Sequence, residues 1–443
     1  MMPSLPRAAV FVFVLVLVVL VCAPARADDT TLLPHPDDTR WWLSAQVNVI
    51  AQAHPTFHSA YAGTNSLPAP SEAAVSFVGT VFTGYRVTDT TELLLDFESA
   101  GGGGIGDALG VAGFTNLDVV RNPTLGSAPY IARAEVRQII PLGDEVRPAD
   151  RGPLALAPRL PARRIELRAG KMSTVDVFDT SGPASDSHLQ FMNWTVDNNG
   201  AYDYAADTRG YTLGFVAELD DPLYAVRLGV LLMPTEANGI DYDFDLAHAR
   251  GQNLEVELRP VSGLTLRLLG FLNDAKMGSY DEAIAAFRAG EDAVPDITRH
   301  RARGRAKVGA GLNVEAEVGA GVRVFGRLGW NDGQNESFAY TEVDDTVELG
   351  ADWRKGIVQA GVAGVSNGLS GPHREYLRLG GNGFLLGDGA LSYGREWIAE
   401  AYLRAMAFRG VSPAVDVQLV GNPGYNEARG PVAVFSMRLH VDL

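Results

Sequence analysis

The sequence predicts an all-β chain, an outer-membrane antiparallel β-barrel of about 16 strands. Three observations predict it. Apolar and polar residues alternate with period two over windows of roughly 8 to 13 residues along most of the chain. Long and short connections take turns between those windows. Beyond the first 23 residues, no uninterrupted apolar run reaches the roughly 18 residues that a membrane-spanning helix requires.

The chain has 443 residues, 46% hydrophobic and 20% charged, with 49 glycines, which excludes a disordered or collagen-like chain. At its start, Arg7, the apolar stretch Ala8 to Ala23, Pro24 and the small-x-small triplet Ala25-Arg26-Ala27 read as a secretory signal over residues 1–27. Residues 28–443 are then a single barrel domain. The lone cysteine, Cys22, falls inside the signal. Cleavage would remove Arg7 and Arg26 from 37 basic residues and none of the 53 acidic ones, taking the net charge from −16 to −18. Such a balance argues against nucleic acid as a partner. An exported chain without cysteine needs another way to hold itself closed, and barrel closure supplies one.

The candidate strands follow in order. The first eight windows are Leu43 to Ala51, Val75 to Tyr85, Leu93 to Phe97, Tyr130 to Val136, Ile165 to Ala169, Tyr211 to Leu219, Val226 to Leu232 and Leu254 to Leu258. The second eight are Leu264 to Leu272, Ala306 to Ala316, Val322 to Trp330, Val347 to Trp353, Val358 to Val365, Trp397 to Ala407, Val411 to Leu419 and Ala433 to Leu443. The last is the cleanest: Ala433, Phe435, Met437, Leu439, Val441 and Leu443 share one face, and Ser436, Arg438, His440 and Asp442 the other. One face suits hydrocarbon and the other water.

Connection lengths separate a barrel from a soluble sandwich or propeller. Long gaps at about 53–72, 100–129, 173–207, 235–251, 274–304, 332–345, 368–395 and 422–430 alternate with tight ones such as Asp220 to Tyr224, Pro260 to Gly263 and Arg409 to Gly410, as outer-membrane barrels require. One inner connection, Pro141 to Ala162, is long. An even strand count puts both ends of the barrel on the periplasmic side, where the first strand closes on the last.

With the apolar face toward lipid, the alternate residues line the lumen. They include Arg133, Arg137, Arg164, Arg168, Arg227, Arg267, Arg323, Arg327 and Arg404, and among carboxylates Asp96, Glu98, Glu135, Glu166, Glu315, Glu348, Asp352, Glu396, Glu400 and Asp416. A mixed lining suits neutral polyols, because each hydroxyl both donates and accepts. A purely basic lining would select anions. Aromatic faces such as Trp194, Phe325 and Tyr402 are suited to stack on sugar rings. Roughly two thirds of the charged residues are expected to pair across neighbouring strands and stiffen the wall. The segment Met172 to Asp207 is the candidate for a loop folded inward, with Asp176, Asp179 and Trp194 at the constriction.

At the C-terminus, Asn422-Pro423-Gly424-Tyr425-Asn426-Glu427-Ala428-Arg429-Gly430-Pro431 followed by Arg438-Leu439-His440 resembles the closing block of the carbohydrate-selective porin (OprB) family. Leu167-Arg168-Ala169-Gly170-Lys171 with Asp176, Phe178 and Asp179, Phe191-Met192-Asn193-Trp194, Gly329-Trp330-Asn331-Asp332-Gly333, and Gly380 to Gly389 with Glu396, Glu400 and Tyr402 resemble it too. Two positions depart from it: Trp41-Trp42 stands where many members open with Trp-Gly-Gly, and Leu443 ends the chain where Phe is usual. The resemblance implies a sixteen-stranded barrel passing small sugars. It also implies outer-membrane lipid and lipopolysaccharide outside the wall, with further copies of the chain an open option.

Other motifs carry less. Gly101-x-Gly103-x-x-Gly106 lacks a βαβ unit around it, and Gly364-x-Ser366-x-Gly368 has no helix after it. The eight histidines show no zinc spacing, and Asp197, Asn199 and Asp203 lack the full calcium-hand pattern. No cofactor, metal or catalytic residue is therefore expected. The alternatives are a general or anion-preferring porin, a membrane-embedded enzyme such as a phospholipase, and an adhesin acting through its loops.

Overall fold

In a computed structural model, residues 31–32, 35, 39–119 and 125–443 are described. The signal-peptide reading lies outside them. Sixteen antiparallel strands close into one barrel. They are β1 (Trp41–His54), β2 (Glu72–Arg86), β3 (Thr91–Gly102), β4 (Tyr130–Pro141), β5 (Arg164–Met172), β6 (Thr212–Asp221), β7 (Tyr224–Leu232) and β8 (Arg250–Val261). There follow β9 (Leu264–Gly278), β10 (Arg301–Gly319), β11 (Val322–Asn331), β12 (Asp345–Lys355), β13 (Val358–Gly368), β14 (Glu396–Ala405), β15 (Val411–Gly421) and β16 (Val432–Asp442). β1 pairs with β16 through registers such as Val49 with Leu439, so no strand edge is left unpaired in lipid.

The alternation does what the sequence demands of it. On β16, Phe435 is 56% exposed toward lipid while Arg438, three residues on, is 1% exposed inside. Exposed aromatic residues gather at both rims: Trp41, Tyr85 and Trp353 at the inner ends of their strands, Trp330 and Trp397 at the outer ends. Those are the two interfaces at which amphipathic rings settle.

The barrel is not hollow. Its buried core forms where long outer loops fold inward and press Phe114, Phe178, Phe191, Trp194, Tyr340 and Tyr425 against the inner wall. Residues 103–119 and 173–211 are the two largest loop contributors to it. Two of the helices in the outer loops, α1 (Tyr280–Ala289) and α2 (Gly371–Arg378), are each capped by a serine, Ser279 and Ser370, whose hydroxyl accepts a first-turn N–H. On the periplasmic side, the long connection between β4 and β5 carries its own two-stranded ribbon, Val146–Pro148 against Arg159–Pro161.

Candidate pore

The inward loops leave an off-centre passage with a cavity volume of about 440 Å³. It runs beside β1 to β4, lined from Asn238 and Ala339 of the outer loops to Pro153 and Leu154 of the periplasmic ribbon. Between these ends the wall is polar and aromatic.

The wall of the passage is built around Glu98 on β3. Its carboxylate accepts hydrogen bonds from Tyr130 at 2.5 Å, Thr80 at 2.9 Å and Tyr211 at 2.9 Å. Beside it, Arg133 on β4 donates through Nε and Nη2 to Asp176 of the inward loop, at 2.7 and 2.8 Å. The same guanidinium lies 5.3 Å from the Tyr211 ring. Arg209 stacks over Tyr130 at 3.8 Å. Opposite, His188 of the loop pairs with Asp118 at 3.1 Å. Burial alone would push the His188 imidazole down, but the Asp118 carboxylate raises it to about 9, and burial of Asp118 is in turn overcome by His188, which holds that carboxyl low. Cation, carboxylate and phenol rings thus face one passage.

A β-bulge aims this group. The ladder between β3 and β4 shifts from Asp96 opposite Arg133 to Phe97 opposite Ile131. The extra residue reverses the alternation, so Tyr130 and Arg133 both face inward.

Of the residues the sequence places in the lumen or at the constriction, Glu98, Arg133, Asp176 and Trp194 border the cavity. The others hold the wall or the loop. Arg137 bridges Glu92 at 2.9 Å and Glu166 at 2.6 Å; Arg168 pairs with Glu135 at 2.7 Å, and Arg267 with Glu257 and Glu315 at 2.9 and 3.0 Å. Arg323 meets Asp352 through two bonds of 2.8 and 2.5 Å. These are neighbouring-strand pairs of the kind that stiffens a sheet.

The remainder anchor the loop. Arg327, fully buried, pairs with Asp179 at 3.1 Å and Glu348 at 3.2 Å and donates to the carbonyls of Val196 and Asp197. Asp179 in turn accepts the Asn199 N–H at 2.9 Å. Glu400 accepts the backbone N–H of Met192 at 2.6 Å, and Tyr402 packs edge-on against Phe191. Arg404 instead stays in the wall, donating to Gln359 of β13 at 2.7 Å and to Ser412 of β15 at 3.3 Å. Trp194 stacks on Tyr340 and donates its indole N–H to the Asn116 carbonyl. Asp203, weighed as a calcium ligand, is taken by Lys307 at 3.2 Å and by the N–H groups of Phe338 and Ala339. Among the described residues no cluster of three or more His, Cys, Asp or Glu is placed to hold a metal ion.

Sequence reasoning missed Tyr130, Tyr211, Arg209, Asp118 and His188. Glu98 was legible from its strand parity. The window Tyr211 to Leu219 puts Tyr211 on the apolar face with Leu213 and Phe215, but it precedes the first residue of β6 and turns inward; Asp118 and His188 sit in loops, where no periodicity points at the lumen.

A closed sixteen-stranded barrel, with short periplasmic turns and loops folded into a narrowed polar passage, defines an outer-membrane porin. The chain belongs to the carbohydrate-selective porin, OprB family, whose sequence model matches residues 156–443. Its fold is similar to that of the high-pH structure of Pseudomonas putida OprB, with a TM-score of 0.68 at 13% identity over 91% of this chain and 94% of that one. It is also similar to the outer membrane channel DcaP of Acinetobacter baumannii, with a TM-score of 0.53 at 9% identity over 91% of this chain and 97% of that one. No curated protein matches the sequence. The protein is a porin of the bacterial outer membrane.

Proposed function

We propose that this porin passes small neutral sugars by passive diffusion, without covalent chemistry, and that the cluster of Glu98, Tyr130, Arg133, Asp176 and Tyr211 is where they bind. The carrying observation is the close interleaving of donors, acceptors and ring faces along one wall of the passage. A sugar offers hydroxyls that need both partners and C–H faces that stack on rings. Conduction needs several moderate contacts in sequence, since one deep site would trap the solute. Lipid and lipopolysaccharide around the wall, and self-association, belong to the same proposal.

An anion-preferring channel is the poorer reading. The passage carries Glu98, Asp118, Asp176, Asp186 and Asp207 against Arg133, Arg209 and His188, a balance that repels anions. The test is single-channel recording in a planar bilayer with mono- and disaccharides, and then phosphate, added in turn. Concentration-dependent block by a sugar supports the proposal, and block by phosphate alone overturns it.

A further inference from the structure

The periplasmic connection between β4 and β5 is long where the other inner turns are tight, and it is bound to the barrel mouth at specific points. Leu156 is fully buried among Trp42, Phe82 and Leu94. Gly84 makes the room: a Cβ there would lie 2.7 Å from Leu156 Cδ1, so any side chain at position 84 competes with Leu156 for the seat. The Leu156 N–H donates to Glu92 at 3.1 Å, and Glu92 is itself held by Arg137. Arg151 caps the arrangement. Its guanidinium stacks 5.2 Å over Trp42 and donates to the carbonyls of Leu156 at 3.1 Å and Trp41 at 2.7 Å.

This seating puts the reverse turn at Gly152–Ala155, which closes through two backbone hydrogen bonds of 2.9 and 3.1 Å, at the inner end of the passage. Pro153 and Leu154 line the cavity there, as does Phe82 of β2, which also packs on Leu156. These three side chains give that end an apolar surface, bordering Asp96 and Arg133, which share the level of Phe82 on the wall. An apolar narrowing hinders ions and their water shells more than it hinders solutes with C–H faces.

We propose that the Gly152–Ala155 turn is a second, periplasmic constriction of the pore, with Leu154 and Pro153 as its size- and polarity-determining residues. A neutral solute leaves the polar cluster around Glu98 and Arg133 and then passes a short apolar lip, while the Leu156 seat and the Arg151 cap keep that lip in the path. The inference rests on the barrel being a diffusion channel.

The experiment uses the full chain in planar bilayers and in proteoliposomes. Cys22 lies within residues 1–27 and is the only cysteine, so Leu154→Cys is addressable by a bulky maleimide, with labelling followed by mass and the wild type as control. Labelled Leu154→Cys is expected to conduct about half as much as before labelling, or less. Gly84→Leu, which unseats Leu156, is expected to raise conductance and to admit larger oligosaccharides in a swelling assay. Labelled Leu154→Cys conducting as before overturns the proposal, as does a folded Gly84→Leu barrel with unchanged conductance and size limit. A wild-type chain that conducts nothing would instead overturn the channel reading on which the inference rests.

Discussion

Arg133 on the barrel wall grips Asp176 of the inward loop with two hydrogen bonds, 2.7 and 2.8 Å long, and so ties the passage's main cation to the element that narrows it. The fork is planar and two-pronged, which an ammonium cannot reproduce. Arg133→Ala should weaken sugar block about tenfold, equivalent to about 1.4 kcal/mol. Arg133→Lys should recover only part of it. Titration of single-channel block for both variants checks this, and equal block in Arg133→Ala and wild type would remove Arg133 from the binding site.

Glu400 acts on the passage at a distance. It receives the Met192 and Asn193 N–H groups, so Glu400→Ala leaves buried donors without a partner, at a cost of about 1–3 kcal/mol. The loop should loosen. Recordings should show a noisier current with flickering sublevels, and proteolysis within residues 173–211 should speed up. A quiet trace with ordinary loop resistance would argue against this anchor.

Two loop histidines set an alkaline limit. Burial opposes protonation of His373, yet Asp344 at 3.0 Å raises it to about 9, and His188 is raised similarly by Asp118. Both folded values lie above the ordinary 6.5. Their stabilising contribution is therefore complete below about pH 6.5 and is lost as pH rises through about 9. Asp118 and Asp344 are held low, burial being outweighed by the facing imidazoles. Their share is present above the usual carboxylate value and is lost only on strong acidification. Thermal unfolding between pH 7 and 10 should show a fall that His373→Gln flattens.

The charge balance of the passage predicts a preference for cations over anions in a salt gradient. Reversal potentials measure it directly. Neutralising Asp176 and Asp186 together should move the permeability ratio toward unity, whereas chloride preference in the wild type would contradict the charge assignment.

The wall was legible because hydrocarbon enforces it. Every predicted window overlaps an observed strand, and the expected cross-strand pairing holds for Arg137, Arg168, Arg267 and Arg323, which meet carboxylates on adjacent strands. The passage was less legible. At β4 the alternation read back from Val136 puts Ile131 inward and Tyr130 outward, and the bulge at Arg133 reverses both. Arg327, Glu400 and Tyr402 read as lumen residues by parity, but the inward loop covers them, and Asp179, read from its motif, is buried within that loop; loop paths leave no period in the sequence. The long connection after Pro141 was visible as an exception to the turn rule. Its contact with Trp42 and Gly84 was not, because that contact joins residues more than seventy positions apart.

The most direct test of the central claim is sugar-dependent block of single-channel current in the wild type. The passage described here predicts a current that falls with sugar concentration and saturates, with weaker block in Arg133→Ala. An ohmic current that no mono- or disaccharide alters would contradict it.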